Sequence, residues 1–266
     1  MDFIILADAR TGSNLLSCFL NLQKNILCHA EIFNLGNNRK ATIPEEEIEI
    51  DPIHLCWKLR HKPVKWKHPQ DLLEKLIKDK ENKTMGFKLL YNQAISLNNI
   101  FKFDLINYIK ENNTKIIIIE RKNKFLKNLS LQKAIMTKCF ATQNPNDIKL
   151  TKIRFNLDNY KYHLQYAEGI NKKYKEYFNQ NNIQYIETSY EDITGTNKEN
   201  NLKNILEFIG ENTENTRSIN EVKMLKQNLF TLEEEIINIE DLKIFLKDDI
   251  DFQEAYRTQG ILPNHG

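Results

Sequence analysis

The first 22 residues constrain the fold most. Phe3-Ile4-Ile5-Leu6 is a purely apolar run ended by Asp8, and Ala9-Arg10-Thr11-Gly12-Ser13-Asn14 follows as a polar turn. Leu15, Leu16, Phe19, Leu20 and Leu22 then recur at helical spacing. An apolar run without alternation is the mark of a strand buried on both faces, so its sheet must be covered by helices on each side.

The same rhythm continues along the chain. Residues 85–91, 115–120 and 183–187 read as further strands, the second of them rich in β-branched Ile. Helical patterns occupy about 103–111, 123–139, 157–178 and 201–208, with a modest helix near 241–246. Alternation of this kind predicts an α/β fold, an open parallel sheet with helices on both faces. No internal repeat and no Pro/Gly-rich linker is visible, so residues 1–266 read as a single domain.

One stretch departs from the pattern, an insertion at about 35–83. Residues 45–51 carry five acids, and 58–67 carry five Lys or Arg. Their charges cancel, which fits either a solvated insertion whose halves pair or a lid over an anionic ligand. Trp57 and Trp66 flank the basic part, as packing under a lid or as a platform for a sugar.

Composition removes several function classes. With 38 Lys+Arg against 36 Asp+Glu, the net charge of +2 is too small for a general nucleic-acid binder. The longest aliphatic run, Ile116 to Ile119, is far short of the roughly 20 residues of a membrane span. Asp2 and the short apolar stretch after it do not make a signal peptide. The four cysteines, Cys18, Cys28, Cys56 and Cys139, form no C-x-x-C and read as reduced thiols, so a cytoplasmic location is expected. Cys28, His29, His54 and Cys56 lack the spacing of a zinc finger or ribbon, and no metal is expected.

A glycine-containing turn between a buried strand and a helix favours anions, because first-turn N–H groups lack intrahelical partners and the helix dipole adds positive potential. Arg10, Thr11, Gly12 and Ser13 add a fixed cation, two hydroxyls and room for close approach. The chain's eight glycines offer neither G-x-x-x-x-G-K-[ST] nor G-x-G-x-x-G. A Walker loop and a dinucleotide fingerprint are therefore both absent.

Arg10-Thr11-Gly12-Ser13-Asn14-Leu15-Leu16 after an opening strand resembles the 5′-phosphosulfate loop of sulfotransferases that use 3′-phosphoadenosine 5′-phosphosulfate (PAPS). The pattern is most similar to the bacterial carbohydrate branch, the trehalose 2-sulfotransferase-like enzymes. Ala9 replaces the usual proline, and Asn14 replaces the usual Thr or Ser. Three more elements arrive in the family's order. Cys28-His29-Ala30-Glu31-Ile32-Phe33-Asn34 resembles the segment bearing the catalytic glutamate. Glu120-Arg121-Lys122-Asn123, with Ser130 nine residues after Arg121, resembles the 3′-phosphate site. Tyr190-Glu191-Asp192-Ile193 resembles the Y-E-D-L segment. Gly86-Phe87-Lys88 and Lys226-Gln227-Asn228 are weaker echoes.

The resemblance implies a P-loop-type sheet and a metal-free transfer of the sulfuryl group from PAPS, leaving the bisphosphate PAP. The acceptor would be a hydroxyl, or less favourably an amine, of a small molecule, glycan or lipid. It assigns Arg10 and the Thr11, Gly12, Ser13 and Asn14 amides to the 5′-phosphosulfate, and Arg121 and Ser130 to the 3′-phosphate. Lys226 and Gln227 would cover the donor, Lys88 would touch substrate, and Glu31 would be the general base, with His29 as its rival. Bacterial relatives are often dimers, which leaves a homodimer open. The competing readings are a P-loop kinase using ATP and Mg²⁺, and an inactive nucleotide-binding module.

Overall fold

The computed structural model describes residues 1–34, 48–50, 64–80, 82–142, 146, 151–224 and 230–259. In chain order the elements are β1 (Phe3–Ala7), α1 (Ser13–Leu22), β2 (Ile26–His29), β3 (Ile48–Ile50), β4 (Val64–Trp66), α2 (Pro69–Lys78), β5 (Thr84–Leu90) and α3 (Tyr91–Phe101). They continue with α4 (Leu105–Glu111), β6 (Lys115–Glu120), α5 (Lys124–Thr137), α6 (Leu157–Gln180), β7 (Tyr185–Ser189), α7 (Tyr190–Thr194) and α8 (Lys198–Ile209), then α9 (Leu232–Glu235), α10 (Ile239–Phe245) and α11 (Ile250–Gln259).

These elements gather into two compact units, Met1–Glu120 with Ile170–Val222, and Arg121–Gly169 with Lys223–Gly266. The first holds a five-stranded sheet in the order β2-β5-β1-β6-β7, every neighbour parallel. Strand β1 is central because all five of its residues are buried and apolar. Phe3, Ile5 and Ala7 face a core shared with Leu16, Phe19 and Leu20 of α1 and Leu202, Ile205 and Leu206 of α8. Ile4 and Leu6 face the opposite core, filled from α2, α3 and α4 and from Tyr174 and Phe178 of α6. This is the predicted sheet with helices on both faces. Gly86 of β5 lies beside Phe3, whose ring fills the space a Cβ would need.

Of the 35–83 insertion, the described parts include the antiparallel pair β3–β4 and helix α2. Position 49 of the acidic stretch stands opposite position 65 of the basic one. Positions 45–47, 51 and 58–63 of the charged stretches, with Trp57, lie outside the described residues. Trp66 is buried edge-on against Phe33 at 5.8 Å and tilted on Phe101 at 5.4 Å, so it packs in the core rather than forming a sugar platform.

The second unit has its own core. Phe125 of α5 packs against Phe155, Tyr160 and Phe252, with ring centroids 4.8, 5.8 and 5.0 Å away. Asn123 caps α5 by accepting from the Leu126 N–H and ties it to the tail by donating to the Asp251 carbonyl.

Candidate active site

In open parallel sheets ligands gather at the carboxyl ends of strands, at the point where the chain switches direction. Here that point is the end of β1, flanked by β5 on one side and β6 on the other. The turn from β1 into α1 is held from within. The Asp8 carboxylate accepts from the Ala9 N–H at 2.7 Å, and the Thr11 hydroxyl donates to the Asp8 carbonyl at 2.9 Å. Arg10 and Gly12 both take positive φ, +66° and +84°. Gly12 is the N-cap of α1 and brings no side-chain acceptor to the first-turn amides.

Gly12 is required twice over. Its left-handed backbone is strained for any side chain, and a Cβ would stand 2.7 Å from Tyr190 Cδ2. Tyr190 opens α7, whose Ser189 cap accepts from the Asp192 N–H while the Asp192 carboxylate accepts from the Ser189 N–H and hydroxyl. The Y-E-D segment therefore buttresses the loop from β7, a contact the sequence left undecided.

Glu31 sits just past β2, where the chain has already turned: the Ile32 N–H donates to the Ala30 carbonyl, and that of Asn34 to the Glu31 carbonyl. Glu31 Oε1 pairs with Lys88 Nζ at 2.5 Å. Its Oε2 accepts from Gln93 Nε2 at 2.8 Å and from Asn34 Nδ2 at 3.2 Å. Lys88 also donates to Asn14 Oδ1, in the first turn of α1. Three of the predicted residues, Asn14, Glu31 and Lys88, are thus one connected group, and Lys88 is only 2% exposed. Gln93 and Asn34 belong to it and were not foreseen.

His29 does not share Glu31's surroundings. It is the last residue of β2 and stands in register with Phe87, whose ring belongs to the core opposite Lys88. With the strand ending there, the extended geometry that would align His29 with Glu31 is absent. His29 is 1% exposed.

At the end of β6, Glu120 accepts from Asn171 and, at 3.3 Å, from Lys175, which also pairs with Glu187 at 2.5 Å. The Tyr91 hydroxyl donates to Asn171 Oδ1 at 3.3 Å, and burial, helped by Glu120, pushes its ionisation far up. This polar chain fixes the carboxyl edge of the sheet beside β1.

In the second unit, Arg121 follows β6 directly, and Ser130 is buried on α5. Lys226 and Gln227 lie outside the described residues. Among the described residues no group of three or more His, Cys, Asp or Glu could hold a metal ion, and no helix is long and apolar enough to cross a membrane.

No protein-family model matches the sequence, and no curated protein does. Among solved structures the chain is similar to a sulfotransferase from Alicyclobacillus acidocaldarius, with 12% identity and a TM-score of 0.45 over 96% of this chain and 95% of that one. It is also similar to mouse sulfotransferase SULT7A1 complexed with PAP, with 14% identity and a TM-score of 0.39, over 81% of this chain and 61% of the mouse chain. What this chain does is therefore read from its own residues.

Proposed function

We propose that the chain is a PAPS-dependent sulfotransferase, of the bacterial carbohydrate type, acting on a hydroxyl or less readily an amine of a small molecule, glycan or lipid. One observation carries the reading: the anion-type loop Arg10–Asn14 and the carboxylate of Glu31 are joined through the buried ammonium of Lys88. An anion site needs cations and amides, and an acceptor hydroxyl needs a base. This group supplies both within one hydrogen-bonded set.

The loop fits a phosphosulfate group. Gly12 leaves its amide unshielded by a Cβ, Tyr190 packs where that Cβ would stand, and Gly12 as N-cap supplies no side chain to cap the first-turn amides. The donor supplies an activated sulfuryl group, whose S–O bond to the 5′-phosphate breaks as a bond to the acceptor oxygen forms, the acceptor's proton passing to Glu31. Arg10 and the first-turn amides neutralise the charge left on the phosphate oxygen. Gln93 and Asn34 orient Glu31. Arg121 and Ser130 are assigned to the 3′-phosphate on the sequence resemblance, as are Lys226 and Gln227 to covering the donor. A location in the cytoplasm, and a single domain whose 35–83 insertion shapes the acceptor site, remain part of the same reading.

Transfer of labelled sulfuryl from PAPS to a panel of sugars, alcohols and amines tests it. Label should appear on an acceptor without added metal, and its rate of appearance should fall by about 10²-fold or more with Glu31→Gln. Label transfer only from γ-labelled ATP with Mg²⁺ would replace this reading by a kinase.

A further inference from the structure

Lys88 lies between the two halves of the site. It is a charged group at 2% exposure, and its two partners serve different ends: Asn14 is in the first turn behind the loop, and Glu31 is the carboxylate assigned to the acceptor. A carboxylate offers about four lone-pair positions. On Glu31, Lys88, Gln93 and Asn34 occupy three. The base is thus engaged by a cation that also touches the anion loop.

We propose that Lys88 makes the base available only when the donor is bound. This rests on the sulfuryl-transfer reading above. A buried ammonium moves toward the strongest negative charge within its reach, and a phosphosulfate at the Arg10–Asn14 loop presents more charge than one carboxylate. Lys88 then turns from Glu31 to the donor, keeping its place beside Asn14. Glu31 loses its ion pair, so the negative charge that Lys88 had neutralised becomes available to draw the acceptor's proton. Glu31 and the donor compete for one ammonium, so binding of the donor precedes productive binding of the acceptor.

Competition leaves a signature that ordinary packing does not. Removing the charge of Glu31 should release Lys88 and strengthen donor binding, and that gain must depend on Lys88. Titration calorimetry of PAP against the wild type, Glu31→Gln, Lys88→Met and the double variant measures it. Glu31→Gln should bind PAP about threefold tighter or more, within the range of coupling between groups in contact. The gain should vanish in the Lys88→Met background, with Lys88→Gln used if the methionine variant does not fold. A gain that survives without Lys88 would reflect the general field of Glu31 and overturn the hand-over. Unchanged or weaker binding by Glu31→Gln would overturn it too, while leaving the donor assignment intact. Failure of the wild type itself to bind PAP would overturn the sulfuryl-transfer reading and the hand-over with it.

Discussion

The Lys88 ammonium lies 2.5 Å from the Glu31 carboxylate, linking β5 to the turn after β2. If Glu31 is the base, Glu31→Gln keeps the hydrogen-bonding shape and removes the proton acceptor. Turnover should fall by about 10²–10⁴-fold, the usual contribution of a positioned base, with PAP still bound. Steady-state rates beside PAP titration check this, and unchanged turnover would remove Glu31 from the chemistry.

Gly12 and Tyr190 set a second test. Gly12→Ala meets both the positive φ and the Tyr190 ring, and should cost about 1–3 kcal/mol of stability while weakening PAP binding. Adding Tyr190→Ala removes the clash and leaves the backbone strain, so the double variant should recover only part of the loss. Thermal melts of the three variants give the comparison, and full recovery would show that φ is not limiting.

The second unit contains a buried ion pair, Lys133 of α5 with Glu235 of α9. Burial pushes the Glu235 carboxyl above its ordinary range, with the neighbouring Glu234 adding to it, and Lys133 opposes the shift. Lys133→Met removes that opposition and leaves a lone buried carboxylate, at a cost of about 3–5 kcal/mol near neutral pH. A carboxyl raised in the folded state favours folding when protonated. The variant's deficit should therefore be small below the unfolded carboxyl's range and grow as pH rises through the folded one. Denaturant titrations between pH 4 and 8 follow this, and Lys133→Met with Glu235→Met should largely restore stability. A pH-independent deficit would contradict the account.

Phe252 tests the aromatic core of the same unit. It is fully buried against Phe125 at 5.0 Å, so Phe252→Ala should cost about 3–5 kcal/mol, read as a lower denaturation midpoint. A loss below 1 kcal/mol would mean that the tail contributes little to this core.

The parts of the fold legible in the sequence are those specified locally. Strand β6 falls at 115–120 as expected, because four consecutive isoleucines have no other way to be buried. Strand β2 was not anticipated, since four residues ending in a histidine carry no period, and its strand character comes from pairing with β5. Helix α3 was missed because it starts directly where β5 ends, without a turn residue, and carries Asn92, Ser96, Asn98 and Asn99 on its polar side. The site divides in the same way. Arg10 to Ser13 are readable as a loop because their chemistry is contiguous. Gln93 reaches Glu31 across 62 positions, and Lys88 reaches Asn14 across 74, so only the tertiary fold brings them together.

The central claim is that this site reads a 3′-phosphorylated adenosine nucleotide, and thermal stability with PAP, with AMP, and with ATP plus Mg²⁺ tests it most directly. A ligand at 100 times its Kd adds about 2.7 kcal/mol to the native state, enough for a clear rise in Tm. The account predicts stabilisation by PAP and none by AMP at the same concentration. Stabilisation by ATP–Mg²⁺ with none by PAP would contradict it.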